Sequence, residues 1–464
     1  MGKISVAKLI PILDKSPILG YNIYTTIERD FFMKLTRFTA LILLAASLLL
    51  LFAGCEKEEP EISTEPAIEV TEPIEAPKLI LVEDGKTDFK IIRSEDAVGY
   101  DLDTSMLVYQ RAKSTLSSSF KITEDWNSPL DPTPADAHEI LLFETNRAES
   151  AAALADLDVD GYLIRVTEHK IVIVGSSPSA CNAALYYFFD TLIPEHTENG
   201  VIALPIGFEK KQAVERETVD IAQAMRDGKT VGADFKIVFE YSGPTNFGTA
   251  QGAATDGKYA YVAMKDGSGG TEVDKIIKID MATWEIVAES EILPLDHAND
   301  MTYDPEKKQL IVTNMYNCLI SLIDPDTLTL IQQPTLPFGT WGIGYIDNAS
   351  KYTFLASGDM GGVMITDSAF TPISNIPCGD TMGYTGQGMD ADANLAYVPL
   401  SPNAGKKDNI IQIYDLTAGE YLGYVTVSTK MESESIFHTN GKQYMHFNAV
   451  GSKIAELEYY IRFE

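Results

Sequence analysis

Between residues 235 and 464 the sequence repeats one plan five times. Each unit opens on a polar residue or, once, a tryptophan. A small or polar residue follows, then a hydrophobic stretch, a turn and an aromatic-rich strand. The units are QGAATDGKYAYVAM from Gln251, NDMTYDPEKKQLIVTN from Asn299, WGIGYIDNASKYTFLAS from Trp341, QGMDADANLAYVPLS from Gln387 and ESIFHTNGKQYMHFN from Glu434. Their starts lie 48, 42, 46 and 47 residues apart. After each unit comes another apolar strand, and four of these end in aspartate, at Asp280, Asp324, Asp367 and Asp415. A period in the forties with about four strands per unit predicts an all-β, five-bladed β-propeller. One such sheet cannot bury both of its faces, so blades stack radially and shield their edges. FKIVFEY (235–241) has no place in the first blade and is expected as the outer strand of the last one.

Charge narrows the function classes. The chain carries 36 Lys and Arg against 67 Asp and Glu, a net −31, and no basic stripe. It would repel phosphate backbones, so nucleic acid is excluded as a partner. The four cysteines, Cys55, Cys181, Cys318 and Cys378, form no CxxC pair, so no zinc or redox motif is signalled. Three of them read as buried, inert thiols.

Cys55 has a special address. From Met33 the chain reads MKLTRFTALILLAASLLLLFAGCEKEEP. A positive start, an uncharged apolar run from Thr39 to Phe52, and Ala53-Gly54 before Cys55 make a secretory signal ending in a lipobox. The pattern resembles bacterial lipoprotein signals, which implies lipidation of Cys55 and a cell-membrane anchor facing the extracytoplasmic side. Phe52 stands where leucine is usual. Met33 is the better initiator, so residues 1–54 are set aside as upstream residues and signal peptide. Residues 55–77, rich in glutamate and proline, are expected to be an extended tether.

Residues 78–210 read as a small α+β sandwich with helices on one sheet face. KLILV (78–82), FKIIRS (89–94) and HEILLFET (138–145) are strand candidates; 98–117 and 146–157 are helical. GYLIRVTEHKIVIVGS (161–176) is a hairpin, and Ser177-Pro178 opens a further helix. Asn146, Arg147 and Glu149 read as a helix start with a cap and a first-turn acid. A polar link at 211–234 leads to the propeller region at 235–464, without assured rigid coupling. The expected chain is thus multidomain.

Two resemblances follow from these residues. HEILLFETNRAES with the later GYLIRVTEHKIVIVG hairpin resembles the amino-terminal domain of bacterial α-glucuronidases and the second domain of β-hexosaminidases. In those families the domain accompanies a catalytic barrel and is not itself catalytic. Gln251-Gly252, His297-Ala298-Asn299-Asp300-Met301-Thr302-Tyr303 and Glu434-Ser435-Ile436-Phe437 resemble blades of a group containing a teichoic-acid biosynthesis protein, a phage receptor-binding protein and helveticin J. That resemblance implies a glycan or cell-wall polymer as partner.

In a propeller the repeat starts converge on the central channel. Gln251, Asn299, Asp300, Trp341, Gln387 and Glu434, with His297 at the mouth, form the expected ligand-binding ring. Amides and carboxylates pair with hydroxyls, and an indole stacks on a sugar face. The same polar ring also suits structural packing of the channel. Two function classes stay open: a carbohydrate-binding surface protein without catalysis, or a glycoside hydrolase using Asp300 and Glu434 as paired carboxylates. Asp390 is a further acid whose direction the sequence does not fix. No GxSxG, HExxH, phosphate-binding glycine loop or calcium loop occurs, so no cofactor or metal is expected, although Asp300 and Glu434 with amide oxygens are hard ligands of the kind a cation takes.

Overall fold

The computed structural model describes residues 77–464 apart from 129, 131, 217, 243–246, 266–273, 315–317, 358–360, 403–407 and 450. The signal segment, Cys55 and the tether up to residue 76 lie outside the described residues. The described residues fall in one compact unit. It is mostly β, with several sheets and few helices.

The repeats fold as antiparallel meanders. The first three are separate four-stranded sheets beginning with Thr249–Thr255, Ala298–Asp304 and Thr340–Ile346. The fourth and fifth merge into a nine-stranded sheet. Their link is the strand Val231–Tyr241. It pairs antiparallel with Ser452–Ile461 along its length, and parallel with Glu420–Val427 at Gly232↔Thr426 and Ala233↔Val427. The segment 235–241 therefore does pair as the outer strand of the last meander. Each meander's first strand packs against the first strand of the next, and the fifth (Glu432–Thr439) packs against the first. We call this meeting place the hub.

The recurring aspartates lock turns. After the third strands, Oδ1 of Asp280, Asp324, Asp367 and Asp415 accepts backbone N–H groups from two to four residues ahead, at 2.6–3.0 Å. Asp256, Asp304 and Asp392 do the same after the first strands. A short side-chain acceptor replaces a missing ladder partner where the chain reverses. Seven of the chain's acidic side chains thus set turn geometry.

The module at 78–213 departs from the expected sandwich. Its six-stranded sheet is mixed: Lys121–Glu124, Lys90–Arg93, Glu139–Leu142 and Lys170–Gly175 run parallel, Gly161–Val166 runs against them, and Glu209–Ala213 pairs antiparallel with Gly161–Val166. Helices cover both faces, not one. Ile91, Ile140, Leu142, Ile164 and Ile173 share a core with the helices Gly99–Thr115 and Pro178–Tyr187. Ile92, Leu141, Leu163 and Val172 pack with Ala153 of the helix Ala148–Asp156. The physical reason is that Glu139–Leu142 is buried on both sides, as parallel strands with helical crossovers are. Ser177 caps its helix as expected, accepting from Ala180 N. Arg147 does not cap by its side chain. With Lys170 it pairs the buried Glu139, and both cations hold that carboxyl below its usual range against the opposing effect of burial.

The chain end fastens the module to the sheets. Phe463 and Tyr460 lie in the module core, and Arg462 pairs with Asp103. Asn182 Nδ2 donates to the Ile461 carbonyl at 2.7 Å. Asp234, on the strand Val231–Tyr241, accepts the N–H of Tyr100 at 3.2 Å, capping the helix Gly99–Thr115 from outside. Of the three described cysteines, Cys181 is buried, Cys318 half-buried and Cys378 exposed; all are free thiols. The expectation of three buried thiols therefore holds only for Cys181, because Cys378 follows an outer edge strand.

Candidate functional site

The first residue of each repeat is a bulge. Ladder register slips by one residue between Ala250 and Ala253, Ala298 and Asp300, Thr340 and Gly342, and Ser433 and Ser435. In the fourth meander the first strand is interrupted at Gln387–Met389, between Tyr384–Gly386 and Asp390–Ala391. Bulges re-aim side chains, and here they carry the expected ring residues toward the hub.

At the hub, most of that ring is occupied with itself. Asp300 is wholly buried, and its carboxylate reaches three other first strands. Oδ1 accepts from Ser435 Oγ at 2.6 Å; Oδ2 accepts from Ile343 N at 2.9 Å and Met389 N at 2.8 Å. Ser435 Oγ also lies 3.1 Å from the Ala253 carbonyl, which brings in the remaining meander. Burial pushes the Asp300 carboxyl well up despite these donors. The space for it exists because its neighbours are small: a Cβ on Gly388 would stand 2.8 Å from Asp300 Oδ1, and one on Gly252 2.5 Å from Asp300 Cα.

Asn299 is buried, and its Nδ2 donates to the carbonyls of Trp341 and Gln387. Gln251 is buried and bonds the Ala250 carbonyl at 2.8 Å. Glu434 is buried, with its carboxyl raised by burial and then by the charge of Glu432. Gln387 Nε2 donates to Glu432 at 3.3 Å. Trp341, Gln387 and His297 are half-buried, and His297 Nδ1 lies 2.7 Å from Lys265 Nζ. The structure thus gathers the expected residues but binds Gln251, Asn299 and Asp300 into internal hydrogen bonds.

The opposite end of the hub, where the first strands finish and turn back, holds a cavity of about 320 Å³. All five meanders line it. Its polar members include Asp347, Asp390 and His438, beside Tyr303 and Tyr345. His438 bridges the two carboxylates, with Nδ1 2.7 Å from Asp390 Oδ2 and Nε2 3.0 Å from Asp347 Oδ2. The charge of Asp390, opposed by burial and helped by both hydrogen bonds, lifts His438 to about 10. It is an imidazolium at neutral pH. Asp347 Oδ1 and Asp390 Oδ1 accept no hydrogen bond among the described residues. Among these residues no group of three or more His, Cys, Asp and Glu is arranged to hold a metal ion.

His438 and Asp347 were not singled out from sequence. The signal was present in the repeat. His438 is the fifth residue of its unit, matching Thr255, Tyr303, Tyr345 and Ala391, and is one of six histidines.

No family model and no curated protein matches the chain. Among solved structures, glutaminyl cyclase of Myxococcus xanthus is 14% identical with a TM-score of 0.37, covering 50% of this chain and 99% of that one. A tail fiber of a Staphylococcus aureus phage is 13% identical at TM-score 0.36, covering 53% and 54%. Hydrazine synthase of Kuenenia stuttgartiensis is 14% identical at TM-score 0.30, covering 45% and 58%.

Proposed function

We propose that this chain is a five-bladed β-propeller lipoprotein, anchored through Cys55 on the extracytoplasmic side, whose hub cavity binds a carbohydrate without cleaving it. The observation that carries the reading is the cavity at the turn end of the five first strands. Two carboxylates with unpaired oxygens, an imidazolium and two phenols converge there, the polar-plus-aromatic mixture that recognises hydroxyl-rich ligands. The mutual packing of the five first strands, and the pairing of Val231–Tyr241 with the last meander, support the propeller. Hydrolysis by Asp300 and Glu434 would need both at an open cleft, and a wholly buried Asp300 with three donors argues against it.

The test is a glycan array probed with the purified full-length chain in detergent and with Asp347→Asn. Saturable binding to a defined set of glycans, weakened at least ~10-fold in the variant with its melting unchanged, supports the reading. Equal binding by both proteins, or none by the wild type, contradicts it.

A further inference from the structure

The charged side chains that line the hub cavity are mostly acceptors, set among hydroxyls of three threonines and two tyrosines that can donate or accept. Asp347 and Asp390 each use one carboxylate oxygen on His438 and keep the other unpaired among the described residues. A third lining carboxylate, Asp256, is fully engaged: Oδ1 takes the N–H groups of Lys258 and Tyr259, and Oδ2 takes the Tyr261 hydroxyl. It supplies charge but no site. Against three carboxylates stands one imidazolium, and both of its N–H groups are committed to the protein. No Lys or Arg is among the lining residues. Among its lining residues the cavity is therefore net negative, and its open carboxylate oxygens favour a cationic donor.

From this we infer that the occupant is a saccharide bearing a protonated primary amine, an inference that rests on the carbohydrate reading above. An ammonium brings three donors and no acceptor, matching two open carboxylate oxygens. Charge-assisted hydrogen bonds of this kind are about twice as strong as neutral ones. Tyr303 and Tyr345 line the same cavity and give an ammonium aromatic neighbours as well. A uronate or phosphate-bearing glycan meets like charge and no compensating cation. An N-acetylated sugar keeps the hydroxyls but brings no charge to offset the carboxylates. His438, raised to about 10 chiefly by the charge of Asp390, keeps its own charge across the neutral range. The volume, about 320 Å³, sits at the small end of ligand pockets and suits one or two sugar rings better than a long chain segment.

Isothermal titration of the full-length chain in detergent, at pH 6, compares three oligomers of matched length: glucosamine, N-acetylglucosamine and galacturonate. The expected result is that the glucosamine oligomer binds at least ~10-fold more tightly than either other. That preference should shrink with added salt and in Asp347→Asn, whose exposed carboxylate can be changed without opening the core. Asp390→Asn serves as a second variant. Equal or tighter binding of the acetylated or uronate oligomer overturns the amine while leaving a carbohydrate site standing. Absence of binding by all three overturns the inference outright, and the glycan array then decides separately whether the carbohydrate reading survives.

Discussion

Asp300→Ala is the sharpest single perturbation of the hub. The wild-type carboxylate accepts the N–H groups of Ile343 and Met389 and the Ser435 hydroxyl, all in a site closed to water. Alanine strands two buried backbone donors, each costing about 1–3 kcal/mol, and leaves a void in place of the carboxyl. The hydroxyl of Ser435 escapes a penalty, because it can turn to the Ala253 carbonyl. The sum is about 3–6 kcal/mol. Asn tests the mechanism: its amide oxygen can take both N–H groups, its NH₂ can face Ser435, and burial already favours an uncharged group here. Asp300→Asn should therefore cost only about 1–2 kcal/mol. In differential scanning calorimetry, at about 2–4 °C per kcal/mol, alanine lowers the melting of the sheet region by roughly 10 °C and asparagine by a few degrees. An alanine variant that melts within about 2 °C of wild type, or an asparagine variant as damaged as alanine, would refute the clasp.

Other consequences follow from the same structure. Phe463→Ala removes a ring buried in the module core and should destabilise by about 3–5 kcal/mol, with faster proteolysis of residues 78–210 as the readout. Asp101 is raised to about 7 by burial and then by the charges of Asp234 and Glu144, above the ~3.9 of an unfolded chain. Its stabilising contribution is complete below about pH 4 and is lost as pH rises through about 7, so wild type should melt lower at pH 8 than at pH 5. Asp101→Asn should reduce that difference, and an unchanged difference counts against the assignment. Cys55→Ser should move the protein from the membrane fraction to the soluble one, and a protein that stays in the membrane fraction denies the lipid anchor.

What was legible in the sequence was whatever rests on period. The strand Val231–Tyr241 betrayed its partner because FKIVFEY fell outside a unit that was already complete. The repeat starts were found because bulges demand a residue type at a fixed place. Their chemistry was harder to read, since a polar residue at a bulge looks the same whether it faces a ligand or bonds a neighbouring strand. Asn299 and Asp300 do the latter, and only the close approach permitted by Gly252 and Gly388 makes that visible. The His438 site escaped because its members come from three repeats at three unlike positions, so no local pattern joins Asp347, Asp390 and His438. In the module, Glu139–Leu142 reads equally well as a one-sided or two-sided strand, and the helix on the second face decides it.

The central claim is that ligand is held at the turn end of the hub. A crystal structure of the chain with the tightest-binding oligosaccharide from the array tests it directly. The expected result is sugar density in the cavity against Asp347, Asp390 and the two tyrosines, with five meanders closed around it. Density at the bulge end, on Trp341, Gln387 and His297, or an open arrangement of the sheets, would contradict it.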